Sequence, residues 1–483
     1  MRFGEGEIAA ATGARVVAGG SAEQPQRAVI DSAAVRPGDV FFGLRGESRD
    51  GGEFATAAIE AGAWGVIVGP EHAARLVAPT GSGASGPLGA AWVFAAEDPL
   101  AALQALATAN RRELGAKVLG VTGSVGKTSV KDITRALLPG VVHANPQNFN
   151  TEIGLPLTIL EAPDGTERLI LEMAMRGPGQ IAELAAIAEP DAAIITNVGP
   201  VHVEQMGSVA AIAAEKAAVI DFLPVDGVVV APARAGELEP HLERAPRLLR
   251  FGPGGDVEAV ESRVSGGATE ALVRTPLGEA RFVFPFVEPY NLTNALAAIA
   301  GGVALGVRPE DFVVRPTDIG FSRFRGERVK LADGILLVND CYNANPVSMR
   351  AALDHLATLE APRTVAVLGM MGELGAGEAQ FHREVGAHAR EAGIDFVLGV
   401  GAVAREYDPD ELVADPGEAA EWLDSHLEPG DAVLIKGSRS VGMETIALEL
   451  QATERGEGAP GRGAEGDSIS DDSSPSASRG GAA

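Results

Sequence analysis

The chain has 483 residues, with 39 Lys+Arg against 66 Asp+Glu and a formal charge of −27; at roughly 150 residues per domain that is about three domains, each able to hold its own core. Hydrophobic residues make up 46% and charged residues 22%, the balance of an ordinary globular protein. So acidic a chain lacks the basic stripes of a nucleic-acid-binding surface, although a local loop can still bind an anion against the global field. The single cysteine, Cys341, excludes an internal disulfide framework and any cysteine-based zinc cluster.

Met1 to Gly20 carries Arg2, Glu5 and Glu7 among glycines and has no apolar run, unlike a signal peptide. The most apolar stretch, Ala295–Val307, falls short of the ~20 residues that a membrane span needs. These features lead us to expect a soluble cytoplasmic protein without a membrane span. With 61 glycines and few aromatics, its core should be built from Ala, Val, Leu and Ile.

Apolar runs alternate with helical patterns along the chain, the signature of an α/β protein with parallel sheets. A first unit, residues 1–113, contains the short strand candidates Asp39–Leu44 and Trp64–Val68, a Gly/Ser loop at Thr80–Gly89 expected to be mobile, and the helical pattern Pro99–Arg112. A second unit, 114–325, opens with strand Lys117–Thr122, continues through Leu169–Glu172, Ala192–Thr196 and Gly227–Ala231, and ends in the Ala-rich helix Asn291–Leu305. A third, 326–451, has Ile335–Asp340, Thr364–Gly369, Phe396–Val400 and Ala432–Lys436 separated by helical patterns, which suggests a Rossmann-like sheet. From Ala452 to 483, Gly, Ser, Asp and Pro dominate without an apolar period, so a disordered tail is expected.

The strongest chemical signal is Gly120-Val-Thr-Gly-Ser-Val-Gly-Lys-Thr-Ser129, which follows a strand and opens a helix. Glycines let backbone N–H groups curl around phosphate oxygens, and a helix N-terminus adds positive potential. Gly123, Ser124, Val125, Gly126 and Ser129 would form this nucleotide cradle. Lys127 would reach the β- and γ-phosphates, and the Thr128 hydroxyl would ligate Mg²⁺. Val121 stands where the usual spacing has its first glycine.

Glu172 ends its strand at the carboxyl edge of the sheet, where such folds bind ligands and where Mg²⁺ finds hard oxygen donors. His202 follows the next strand in the loop from Asn197. Spacing alone leaves it open between a structural histidine and a ligand, and leaves Lys216 as an ordinary helix lysine.

Several segments together resemble the Mur ligases: the loop Gly120–Thr128, Asn148-Phe-Asn-Thr-Glu-Ile-Gly154, Asp340-Cys-Tyr-Asn-Ala-Asn-Pro346, His382-Arg-Glu-Val-Gly386 and Lys436-Gly-Ser-Arg439. Asp31-Ser32 and Arg36–Gly46 resemble the uridine-nucleotide-binding domain of that family. The resemblance runs from about residue 27 to 450. It implies three domains: an N-terminal uridine-nucleotide-binding α/β domain, a central P-loop ATPase-like domain with a parallel sheet, and a C-terminal Rossmann-like domain.

The resemblance also implies ATP as nucleotide and two Mg²⁺ ions held by Thr128, Glu172, His202 and Lys216, the lysine as a carbamate. Lys127, Lys216, His202 and Glu172 become the expected catalytic group. Asn291, Asn294 and Asp340 are expected beside the nucleotide. Ser32, Asn150, Thr151, Asn343, Asn345, Lys436, Ser438 and Arg439 are expected at the substrates.

Within the family, Tyr342–Pro346 and Lys436–Arg439 are most similar to the members that join D-alanyl-D-alanine to UDP-N-acetylmuramoyl-tripeptide through an acyl phosphate, as monomers. The Asp-Asn-Pro-Arg signature of diaminopimelate-adding members is absent from the sequence. Ala33, Gly52, Ala218, Tyr290, Met370 and Gly372 depart from the pattern, standing where Arg, His, an acidic residue, His, Asp and Leu are usual. Ala33, Gly52 and Met370 keep open a related ligase with another acceptor or amine; a non-catalytic nucleotide-binding scaffold is the other alternative, against which the joint presence of Lys127, Thr128, Glu172, His202 and Lys216 argues.

Overall fold

A computed structural model describes residues 1–78, 90–146, 148–312, 319–321 and 323–454. The Thr80–Gly89 loop and the tail beyond residue 454 lie outside them. Four sheets follow one another along the chain. The first contains β1 (Arg15–Ala18), β2 (Ala28–Val29), β3 (Val40–Phe42), β4 (Gly65–Val68) and β5 (Trp92–Ala95), in the order β1-β5-β4-β3-β2. Its pairings are parallel except that of β1 with β5.

The second sheet is parallel throughout. It consists of β6 (Lys117–Thr122), β7 (Val142–Ala144), β8 (Arg168–Glu172), β9 (Ala192–Ile195), β10 (Val228–Pro232) and β11 (Arg247–Phe251), in the order β11-β10-β9-β6-β8-β7. Alternation along each strand divides its apolar run between two faces. Val118, Leu169, Leu171, Ala193 and Ile195 pack on one side, and Leu119, Val121, Ile170, Ala192 and Ile194 on the other. The helices Pro99–Leu114 and Gln180–Ala188 cover the first face, and Lys127–Leu137 and Pro289–Ala304 the second. Burial on both faces is why these strands read as continuous apolar runs. Each fully buried Leu, Ile or Val contributes about 1.5–3 kcal/mol relative to exposure.

The third sheet, β12 (Glu258–Ser265), β13 (Ala268–Thr275) and β14 (Gly278–Phe284), is an antiparallel meander that the sequence reading did not include. Its outer face is polar, and Arg263–Glu270, Arg274–Glu258 and Arg281–Glu261 ion pairs run across it. These charges hid the strands by breaking up the apolar runs.

The fourth sheet holds β15 (Glu327–Lys330), β16 (Leu336–Asn339), β17 (Thr364–Leu368), β18 (Phe396–Val400), β19 (Glu411–Val413) and β20 (Ala432–Lys436). The order is β15-β16-β20-β17-β18-β19, parallel except for β15 at the edge. The four expected strands form its centre, and the short exposed strands β15 and β19 were missed. The last helix runs Glu444–Glu454, past Ala452 where the apolar period had been read as ending.

The His382–Gly386 segment has a structural explanation. His382 is fully buried; the Met371 N–H donates to its Nε2 at 2.9 Å, and its Nδ1 lies 2.7 Å from the Glu378 carbonyl, which fixes the neutral tautomer and pins the loop after β17. A Cβ on Gly386 would lie 2.0 Å from the Tyr407 carbonyl oxygen, so the helix Glu378–Glu391 reaches its neighbour only with glycine there. Gly386→Ala is expected to destabilise this region by about 3 kcal/mol; chemical denaturation of the variant measures it, and an unchanged midpoint contradicts the packing.

Candidate functional site

The chain leaves β6 at Thr122, beside β8 on one side and β9 on the other, where connections diverge to opposite halves of the sheet. Such a divergence leaves a crevice at the carboxyl ends of the strands. Into it the structure brings the phosphate loop, Glu172, Asn150, Lys216 and the loop after β9.

The loop is held from behind. The Ser124 N–H donates to the Asn197 carbonyl, the Val125 N–H to Asn197 Oδ1, and the Thr196 hydroxyl to the Val125 carbonyl. A Cβ on Gly123 would fall 1.9 Å from Thr196 Oγ1, at a φ of +146°, so only glycine fits that turn. The helix Lys127–Leu137 then begins after Gly126, with Thr128 and Ser129 buried in its first turn. Asn294 packs against Gly126 and donates to Asn291 Oδ1 at 3.2 Å, so the helix Pro289–Ala304 backs the loop.

Two lysines share one acceptor. Lys127 Nζ and Lys216 Nζ each donate to the Gly123 carbonyl at 2.9 Å. Burial pushes the Lys127 pKa down, with the Glu172 carboxylate opposing and Arg325 reinforcing the shift. Lys216 is only 2% exposed. Burial first, then Lys127, hold its pKa well below the usual lysine range, against the pull of Glu215. Glu215 accepts from the Gly179 and Ile181 N–H groups at 2.8 Å each, which anchors the helix bearing Lys216. The two cationic forms oppose each other, and Lys216 is biased toward its neutral amine.

Glu172 is 2% exposed, and Asn150 Nδ2 donates to its Oε1 at 2.8 Å. Its Oε2 is buried without a hydrogen-bond partner among the described residues, as is Thr122 Oγ1 at the end of β6. A bare carboxylate oxygen facing the phosphate loop is a hard donor, and with the Thr128 hydroxyl it fits Mg²⁺. Thr151 sits beside Asn150 and accepts from the Gly154 N–H at 3.5 Å.

His202 adopts a left-handed conformation (φ 52°) before the turn Val203–Met206, and its Nδ1 meets the carboxylate of Glu373, in the loop after β17. That contact first of all holds the Glu373 carboxyl below its usual range. The structure thus places His202 at the joint between the second and fourth sheets, engaged with a carboxylate.

A cavity of about 310 Å³ lies beside Asn291, lined among others by Phe286, Glu288, Phe321, Arg323 and Arg325. Its aromatic walls suit a base and its arginines suit phosphate. Arg325 stacks over Tyr342 at 4.0 Å from the ring centroid, and its Nε is buried without a partner among the described residues. Sequence reasoning missed Arg325; the available signal was three arginines, 323, 325 and 328, clustered in an acidic chain. Opposite Glu288, at 3.7 Å, lies buried His355 from the helix Pro346–Ala357, which also meets the Tyr290 ring edge-on.

The C-terminal candidates have internal duties that revise their expected roles. Lys436 is buried, and its ammonium donates to Asp340 Oδ2 (2.6 Å) and to the carbonyls of Asp340 (3.2 Å) and Asn343 (3.0 Å). It therefore orients Asp340 and the Asn343 turn and has no donor left for a substrate. Asn345 caps the helix Pro346–Ala357 by accepting from the Ser348 N–H at 3.0 Å, and Ser438 accepts from the Gly372 N–H at 2.7 Å. Arg439 and Asn343 are exposed; Arg439 lies 3.1 Å from Glu444 and over the Phe324 ring, and Asn343 Oδ1 accepts from the Ala344 N–H at 2.8 Å. Ser32, half-buried, follows β2 in the turn Ser32–Ala34 of the first unit.

Residues 121–302 match the Mur ligase middle domain, and residues 324–439 the Mur ligase, glutamate ligase domain. The UDP-N-acetylmuramoyl-tripeptide–D-alanyl-D-alanine ligase of Bacillus subtilis is 34% identical over 444 residues, covering 87% of this chain and 92% of that protein. MurF from Acinetobacter baumannii superposes with a TM-score of 0.80 at 28% identity, covering 92% and 97% of the two chains. MurF ligase from Thermotoga maritima, solved in complex with ADP, does so with a TM-score of 0.76 at 30% identity, covering 89% and 97%.

Proposed function

The chain belongs to the Mur ligase family, and from that premise we propose how its crevice carries out the family's amide-forming chemistry. It is an ATP-dependent ligase of peptidoglycan precursor synthesis, joining D-alanyl-D-alanine to UDP-N-acetylmuramoyl-tripeptide. Its phosphate loop binds ATP, as the ADP complex of the Thermotoga relative supports. The observation that carries the site assignment is the meeting of Lys127 and Lys216 on the Gly123 carbonyl, with Glu172, one oxygen bare, within electrostatic reach of Lys127.

In our reading the nucleotide base enters the cavity beside Asn291, with Asn294 at the loop and Asp340, oriented by Lys436, within electrostatic reach of neighbouring Tyr290. Arg325 and Lys127 flank the phosphates. The terminal carboxylate of the tripeptide attacks the γ-phosphorus; the bond to the bridging oxygen breaks, and ADP leaves with that electron pair. The dipeptide amine then attacks the acyl carbon, loses a proton, and expels phosphate. Charge develops first on phosphoryl oxygens and then on the carbonyl oxygen, both within reach of a fixed cation such as Lys127.

Thr128, Glu172, His202 and carbamylated Lys216 would together hold two Mg²⁺ ions. When bound, these ions supply Lewis-acid stabilisation of the phosphates and of the reacting oxygens. The neutral amine favoured at Lys216 is the form that adds carbon dioxide, its nitrogen bonding to carbon as one proton is released. Release of His202 from Glu373 belongs to this proposal.

Ser32 would meet the uridine substrate, Asn150 and Thr151 the peptide end beside Glu172, and Arg439, with a free guanidinium edge, the dipeptide carboxylate. Asn345 and Ser438, both buried, shape that wall, and the exposed Asn343 would face the substrate. We assign units 1–113, 114–325 and 326–451 to uridine nucleotide, ATP and amine, working as a monomer in the cytoplasm where UDP-linked precursors and ATP meet. Among the described residues no helix is long and apolar enough to cross a membrane.

With ¹⁸O in the tripeptide's terminal carboxylate, one label is expected in the released phosphate alongside the extended peptide product. Product formation without transfer of the label contradicts carboxylate attack on ATP.

A further inference from the structure

Glu172 is held by a device that the phosphate-loop chemistry does not itself explain. Strand β7 ends at Ala144, and its pairing with β8 stops at Ile170. Beyond that point the side chain of Asn145 takes the place of a strand. Its Oδ1 accepts from the Glu172 N–H at 2.7 Å, and its Nδ2 donates to the Glu172 carbonyl at 2.9 Å. The second Nδ2 proton goes to the Phe149 carbonyl at 2.8 Å, which fixes the turn that carries Asn150 onto Glu172 Oε1.

The carbonyl of Asn145 in turn accepts from Lys131 Nζ at 2.9 Å. Both residues are 2% exposed. Lys131 lies one turn beyond Lys127 on the helix that the phosphate loop opens, and its ammonium also meets Asp132 at 3.3 Å. A buried lysine and a saturated buried carboxamide therefore join the phosphate-binding helix to both sides of Glu172, main chain and carboxylate.

We infer that Asn145 and Lys131 are positioning residues that set the Glu172 carboxylate for a divalent cation and lock its distance to the phosphate loop. The inference rests on the reading of Glu172 as a metal ligand. A hydrogen-bonded outer shell of this kind fixes ligand orientation, and its loss typically weakens metal binding about 10–100-fold. Asn145→Asp keeps the shape but replaces two donors by an acceptor facing two carbonyls. Lys131→Met keeps the bulk and removes the anchor, whereas Lys131→Arg retains a donor.

Mn²⁺ binding to the full-length protein with ADP, followed by electron paramagnetic resonance, tests this beside the Mg²⁺ dependence of ligation. Asn145→Asp and Lys131→Met are expected to raise the Mn²⁺ Kd and the half-saturating Mg²⁺ by about tenfold or more. KM for ATP at saturating metal should be preserved, with partial recovery in Lys131→Arg. Asn110→Asp is the control: Asn110 is equally buried and donates to the Ile159 carbonyl at 2.7 Å, but lies outside the crevice. Its thermal stability should fall while its Mn²⁺ Kd stays put. Weaker Mn²⁺ binding in Glu172→Gln, with Asn145→Asp and Lys131→Met both matching the control, overturns the positioning role alone. Unchanged Mn²⁺ binding in Glu172→Gln overturns the metal reading as well.

Discussion

Lys127→Ala is expected to lower the rate of ATP-dependent ligation by about 10³-fold, the scale of removing one fixed electrostatic group from a transition state that builds charge. The ammonium is buried beside Glu172 and Arg325, and the nearby lysines have other roles: Lys216 is assigned to the carbamate, and Lys131 donates to the Asn145 carbonyl. Because the uridine nucleotide is assigned to Ser32 and the first unit rather than to the loop, the affinity for the UDP-linked substrate should be unchanged. Calorimetric titration of that substrate beside steady-state kinetics separates the two. A loss of less than about tenfold would show that Lys127 is not the charge on which the reaction depends.

Lys216→Ala carries the second large effect, a fall of about 10²–10³-fold that short carboxylic acids such as acetate restore in part. The rescue distinguishes an anionic oxygen ligand from a structural amine, because a small carboxylate can supply only the former. Stability should move the other way. The folded protein depresses the Lys216 pKa, so the unfolded chain binds more protons and wild-type stability rises with pH. Lys216→Met is therefore expected to melt at a higher temperature than wild type at neutral pH, with the gain shrinking as pH climbs toward the ordinary lysine range. This comparison is made under carbon-dioxide-free conditions, since a carbamate would remove the penalty. A variant that neither responds to acetate nor gains stability contradicts the assignment.

Much of the architecture was legible because parallel strands buried on both faces carry unbroken runs of Val, Ile and Leu. Leu169–Glu172 and Ala432–Lys436 needed nothing else. The meander at 258–284 was illegible because one face is covered with Arg–Glu pairs, which break the runs into a pattern that reads as loop. At the site, the phosphate loop was readable from its glycines, and Glu172 from its place at a strand end. The pairing of Lys216 with the Gly123 carbonyl, 93 residues apart, was not, since a helix lysine looks the same in sequence whether it is solvated or buried. Resemblance supplied that residue, and geometry gave it a reason. Lys436 went the other way: it looked like a substrate contact, but its three hydrogen bonds turn inward to Asp340 and Asn343.

Gly52 is held to glycine by its neighbour. The ring of His72 packs where a side chain at 52 would be, 2.4 Å from an ideal Cβ, and its Nε2 lies 3.1 Å from Asp50. An imidazole thus stands at this corner of the first sheet, supplied by another segment of the chain.

Phosphate release from ATP and Mg²⁺ in the presence of UDP-N-acetylmuramoyl-tripeptide, measured with and without D-alanyl-D-alanine, tests the central assignment most directly. Release that requires both the tripeptide and the dipeptide, in equal amounts with the ligated product, is the expected result. Release indifferent to the dipeptide, or satisfied equally by a single amino acid, would contradict it.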